Sequence, residues 1–152
     1  MSTALFLPSG LAVTLRRALE SDVAAIGRVF RKRTGTGPQT PQPWIDCLVA
    51  EVSGEIVGYG YHQGNKIKYL CRLKGDHLSG IADLILENLK HSIRDAGFNE
   101  VTLYAQPAER DYPVEKLVNF YRGHGYEASI YRRGMSIDGK PFDLGAEMAK
   151  RI

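Results

Sequence analysis

Cysteine is scarce: Cys47 and Cys71 are the two in a chain of 152 residues. They form no Cys-x-x-Cys pair and no ligand cluster with the four histidines, so no structural zinc site is expected. Each lies in an apolar, strand-like run, where a buried free thiol is the expected state. An excess of charge of one sign is lacking too. Lys and Arg total 20 against 17 for Asp and Glu, a net of +3. The basic residues are dispersed, with local groups at Arg28, Arg31, Lys32 and Arg33 and at Arg132 and Arg133. The clustered basic face that drives electrostatic nucleic-acid binding is missing, and nucleic acid is not an expected partner. A mild positive excess does suit a polyanionic small molecule. No apolar run is long enough to span a membrane, and residues 1–8 carry no basic leader before their short apolar stretch. A cytoplasmic protein without a membrane partner is expected. No repeat, low-complexity segment or linker divides the chain, so one domain is expected over residues 1–152.

What is present reads as an α/β pattern. Apolar residues make up 43% and charged residues 24%, an ordinary globular composition. Residues 11–17 alternate as a first strand. Ser21 is placed to cap a helix to about residue 33, with Val23, Ile26, Val29 and Phe30 at helical spacing. Two glycines and three prolines make residues 34–43 a loop. Residues 47–52 and 55–62, joined at Ser53-Gly54, predict a hairpin, and 66–73 a third strand. Ile81, Leu84, Ile85, Leu89 and Ile93 line one face of a helix over 80–96, which Gly97 terminates. A strand over 100–105 then completes a crossover unit, so strands 66–73 and 100–105 should run parallel. A helix from Pro113 to about Gly123 follows, then strands over 126–131 and on to 137. Residues 138–152 read as an extension with a short helix from Leu144. The expected fold is a mixed sheet flanked by helices, with its core over about 11–137.

The segment Lys74 to Ala82 joins strand to helix and contains Gly75, Ser79 and Gly80. Free N–H groups at a helix start, with small residues around them, allow close approach of a phosphate. An ordinary turn needing glycine for its backbone angles has the same appearance. His77-Leu78-Ser79-Gly80-Ile81-Ala82, followed by Leu84 to Leu86 and by Ala96-Gly97, resembles the central motif of the GNAT superfamily of N-acetyltransferases: Gln or Arg, two residues, Gly, one residue, Gly or Ala. Asn119-Phe120-Tyr121-Arg122-Gly123-His124-Gly125-Tyr126 is similar to the family's second signature. Residues 13–22 and the hairpin 48–61 resemble its opening, so the resemblance covers about residues 11 to 137. Its departures are His77 in place of Gln or Arg, Leu78 in place of a common glycine, and Asp83, a carboxylate in the first helical turn.

The resemblance implies an acetyl-CoA-dependent N-acetyltransferase. Acetyl-CoA would be the acyl donor, and an amine, a small molecule or one on a protein or peptide, the acceptor; a homodimer stays open. The strand around Leu70 and Arg72 would splay from its neighbour and pair with pantetheine. His77, Leu78, Ser79, Gly80, Ile81 and Ala82 would hold the pyrophosphate. Tyr121 would face the sulfur as the acid; as a residue of the apolar face with Leu117 and Val118 it has a packing role instead. Glu51 and Asp76 are carboxylates that a base could come from, although each reads more simply as a solvated surface group, and the four histidines read as surface or turn residues. Residues 35–44, with Trp44, would border the acceptor. A non-catalytic module of the same fold is the alternative, favoured by the atypical loop and the lack of an evident base.

Overall fold

The computed structural model describes residues 3–35, 45–107 and 112–152. The proposed acceptor loop, residues 36–44 with Trp44, lies outside the described residues. Strands β1 (Thr3–Phe6) and β2 (Ala12–Arg17) form a hairpin that leads through a 3-10 turn at Glu20–Asp22 into α1 (Val23–Thr34). Strands β3 (Cys47–Val52), β4 (Glu55–Gln63) and β5 (Lys66–Arg72) follow, then α2 (Ile81–Asp95), β6 (Glu100–Ala105), α3 (Val114–Arg122), β7 (Glu127–Met135) and β8 (Pro141–Arg151). The described strands make one sheet in the order β1-β2-β3-β4-β5-β6-β8-β7. All pairs are antiparallel except β5 with β6. The expected mixed sheet with a parallel crossover is therefore present.

Both ends of the chain depart from expectation. The tail holds no helix from Leu144: residues 141–151 form β8, which inserts between β6 and β7. Ala146 and Met148 of β8 are buried in the main core. They sit two apart, the strand period, and partners on both sides satisfy the β8 backbone, which outweighs the helical look of the isolated segment. Residues 138–152 thus supply an interior strand of the sheet and do not trail outside it. The N-terminal strand β1 also precedes the first one expected.

The sheet separates two cores. On one side, α2 turns Ile81, Ile85, Leu86, Leu89 and Ile93 inward, all fully buried, against β3 to β6. Each such side chain contributes roughly 1.5–3 kcal/mol of transfer free energy. The helix lies close because β4 presents glycines to it: a Cβ at Gly60 would fall 2.7 Å from Ile85 Cγ2 and 2.9 Å from Leu89 Cδ1. On the other side, α1 packs Ile26, Val29 and Phe30 over Cys47, Val49, Tyr59 and Tyr61. Burial pushes the Cys47 thiol up to about 12 and the Cys71 thiol to about 11, so both remain thiols. His62 is not a surface histidine. It is buried, with Nδ1 2.9 Å from Gly64 O and Nε2 3.0 Å from Ser92 Oγ.

Asp22, not Ser21, organises the entry to α1. Its carboxylate accepts the Leu19 N–H at 2.7 Å and binds Arg16 at 2.7 and 3.0 Å. Hydrogen bonding to Arg16 holds this carboxyl below its ordinary value of 3.8. A lowered folded-state value means that the stabilisation is present above 3.8 and is lost as pH falls through the folded value. Asp22→Asn should therefore cost roughly 1–2 kcal/mol near neutral pH. The gap to the parent should close in acid, where Asp22 is itself protonated; urea melts across pH check this, and a gap that persists at the lowest pH counts against it.

Candidate active site at the parting of two strands

The parallel strands β5 and β6 are paired only at Lys66 with Thr102 and Ile67 with Leu103. Both strands continue, to Arg72 and Ala105, without pairing to each other. The cause is visible on the opposite edge of β5. There His62 pairs with Ile67 but Tyr61 pairs with Tyr69, so Lys68 is an extra residue. A bulge of this kind bends its strand and ends pairing. The divergence leaves main-chain donors and acceptors of β5 around Leu70 and Arg72 open toward a notch, which is the strand edge that an extended amide chain can pair with. The sequence carries a trace of this irregularity. Ile67 and Leu70, three residues apart, both pack into the core beneath α2, a spacing an unbroken strand cannot provide.

Helices α2 and α3 flank this notch on one face. α2 packs on β3 to β6 and α3 on β6, β7 and β8. The α2 start is shaped by the expected loop. Leu78 and Ser79 donate their N–H groups into the 3-10 turn, to Gly75 O and Asp76 O, and Leu84 N–H reaches Gly80 O. The donors of Ile81, Ala82 and Asp83 belong to the first helical turn, where no intrahelical acceptor exists. The side chains of Leu78 and Ile81 are buried in the core, so these two residues can offer a ligand only backbone. Ser79 and His77 are exposed and Ala82 is half-buried. The His77 ring folds back over Gly75, while its carbonyl accepts the Ser9 hydroxyl at 2.8 Å. Arg72 donates to Leu73 O at 2.9 Å and Gly75 O at 3.2 Å, which ties the loop to the end of β5.

Gly80 has φ +97°, and a Cβ built on it would lie 3.2 Å from Pro8 Cδ and 3.7 Å from Leu7 Cδ2. It faces the β1–β2 turn. This position therefore needs glycine for its backbone and for the contact with Pro8, and a β-branched residue here would disturb the fold as well as any ligand.

Tyr121 lies in the last turn of α3, 7% exposed. Its ring meets Phe120 edge-on at 5.2 Å and Tyr126 at 5.9 Å. No described residue is hydrogen-bonded to its hydroxyl. Burial, reinforced by Tyr126, raises the phenol above its ordinary value, so it stays protonated and able to donate. The structure thus gives Tyr121 both the packing surroundings and an uncommitted donor.

Asp83 is turned toward α3. Its Oδ1 lies 2.7 Å from His124 Nε2, and His124 Nδ1 lies 3.2 Å from Glu87 Oε1. The His124 ring lies tilted against Phe120, with centroids 5.2 Å apart, and the His124 carbonyl accepts a hydrogen bond from Lys150 Nζ at 2.6 Å. Nothing in the local sequence pairs residues 41 apart, which is why His124 reads there as a turn residue.

On the opposite face, the exposed Tyr69 ring stacks on Tyr61 and meets Phe30 edge-on, each at 5.7 Å. Across the parting, Arg132 lies over the Tyr104 ring at 5.9 Å and pairs with Glu147 at 2.8 Å. Alternation alone cannot tell which strand faces meet at a divergence, so the sequence does not mark these aromatics as site residues. Of the carboxylates considered as bases, Glu51 is taken up by Arg16, whose Nε donates to it at 2.7 Å, while Asp76 is exposed in the 3-10 turn.

Neither a protein-family model nor a curated protein sequence matches the chain. Solved structures do. A GNAT superfamily phosphinothricin acetyltransferase from Sinorhizobium meliloti, in complex with AcCoA, is 18% identical with a TM-score of 0.71, covering 92% of this chain and 88% of that one. The ribosomal-protein-alanine N-acetyltransferase of Brucella melitensis is 17% identical with a TM-score of 0.70, covering 91% and 99%. Arabidopsis thaliana Naa50, in complex with the bisubstrate analogue CoA-Ac-MVNAL, is 15% identical with a TM-score of 0.68, covering 92% and 99%. The chain is similar to these proteins across nearly all its length, and it has the GNAT fold.

Proposed function

We propose that this chain is an acetyl-CoA-dependent N-acetyltransferase. The observation that carries the reading is the parting of β5 from β6 after Ile67, on a face flanked by the first turn of α2 and by α3. Three features fit the donor molecule. Unpaired main-chain groups of β5 near Leu70 and Arg72 suit its pantetheine amides, the N–H groups of Ile81, Ala82 and Asp83 suit its pyrophosphate, and the Tyr121 hydroxyl has no competing partner among the described residues. Acetyl-CoA supplies the activated acetyl group. The chain's own residues would bind and orient it, and Tyr121 would donate a hydrogen bond to the sulfur as the carbon–sulfur bond breaks and the new bond to nitrogen forms. The sulfur would leave as thiolate, and the proton lost by the amine would pass to solvent, from which the thiolate is protonated. The acceptor amine would approach from the face of Tyr69, Tyr61 and Phe30.

The solved relatives are described as acting on phosphinothricin and on a ribosomal-protein alanine, so an acceptor screen begins with amino-acid-like amines and peptide N-termini. The test is a calorimetric titration with acetyl-CoA, followed by that screen with free thiol as the readout. A one-site isotherm and amine-dependent thiol release are expected. A flat isotherm together with no thiol release from any amine would instead favour the non-catalytic module.

A further inference from the structure

We propose that His124 is a positioning residue for cofactor binding: it holds the Asp83 carboxylate away from the start of α2 and offsets its charge. This rests on the reading that the first turn of α2 takes the pyrophosphate. A carboxylate in that turn is favourable for the helix itself but repels a phosphate at the same place. The geometry resolves the conflict. Asp83 Oδ1 and Glu87 Oε1 stand on either side of the imidazole, at 2.7 Å from Nε2 and 3.2 Å from Nδ1. Ionised carboxylates only accept hydrogen bonds, so both contacts are hydrogen bonds when both ring nitrogens carry protons. A charged imidazole then answers both carboxylates.

The surroundings keep Glu87 an ionised acceptor and hold His124 in place. Lys90 Nζ binds the other oxygen of Glu87 at 2.7 Å, and hydrogen bonding to Lys90, then to His124, holds Glu87 below its ordinary value. From β8, Lys150 binds the His124 carbonyl, and from α3 the Phe120 ring covers the imidazole. The His124 side chain is 17% exposed against 51% for Asp83. The histidine is the more buried partner, and it holds the more exposed carboxylate toward the end of α3.

The experiment is calorimetric titration of CoA into the parent, His124→Gln, Asp83→Asn and the double variant, at low and high salt. Acetyl-pantetheine, which has no phosphate, is the companion ligand. His124→Gln should weaken CoA by about two- to tenfold at low salt, less at high salt. Asp83→Asn alone should bind CoA as well as the parent or better, and in the His124→Gln background it should restore affinity. Acetyl-pantetheine binding should be the same in all four. An equal loss in the Asp83→Asn background, or a matching loss for acetyl-pantetheine, makes His124 a packing residue and overturns the inference. Unchanged CoA affinity in His124→Gln overturns it as well. A parent that does not bind CoA overturns the site reading and this inference with it. The Asp83→Asn arm is informative even when His124→Gln folds poorly: weaker CoA binding by that variant contradicts the proposed repulsion.

Discussion

Tyr121→Phe is expected to slow single-turnover acetyl transfer by about 10²–10³-fold, the usual loss on removing one donor aimed at developing charge. Acetyl-CoA affinity and stability should hardly change. The ring keeps its edge-on contacts with Phe120 and Tyr126, and the lost hydroxyl has no described partner to strand. The raised phenol favours one of two modes of action. A thiol loses its proton near roughly 8.5, so full transfer from a buried phenol to a departing thiolate runs uphill. A hydrogen bond that strengthens as charge builds on sulfur needs no such transfer and acts mainly in the transition state. The effect should thus fall on the chemical step. Slow product release can conceal it in steady-state turnover, so the single-turnover rate is the quantity to measure. Equal rates for parent and variant would reduce Tyr121 to a packing residue.

Gly80→Val should lose stability as well as acetyl-CoA binding. At φ +97° a β-branched residue is strained whatever space it has. Such strain costs about 1–3 kcal/mol. The added Cβ also presses on Pro8 Cδ from 3.2 Å, which pushes the β1–β2 turn away from the start of α2. A clear fall in the urea midpoint is expected, and loss of binding in this variant cannot then be read as a blocked phosphate alone. An unchanged midpoint would show that Gly80 is not needed for its backbone.

Much of the architecture was legible because it follows from short-range regularities. The buried stripe of α2 repeats at helical spacing from Ile81 to Ile93, and Gly97, at φ +99°, ends that helix where expected. The hairpin turn at Ser53-Gly54 takes positive φ at both residues, as its composition allows. The tail misled because β8 owes its conformation to β6 and β7, its neighbours on either side, and not to its own propensity. His62 misled because Ser92, 30 residues away, satisfies its ring.

For the candidate site, the sequence by itself determined the stretch that makes the strand-to-helix turn, the crossover that sets β5 parallel to β6, and the presence of a tyrosine late in α3. These depend on backbone preferences and periodicity within a few residues, which chemistry along the chain expresses directly. Only the tertiary structure decided that β5 leaves β6 after Ile67, that Gly80 answers to Pro8, and that Asp83 turns to His124. Each of these depends on an extra residue opposite a partner strand, or on groups brought together from distant points of the chain. The physical reason is that register, close contact and charge pairing are properties of two surfaces meeting, and neither surface alone contains the other.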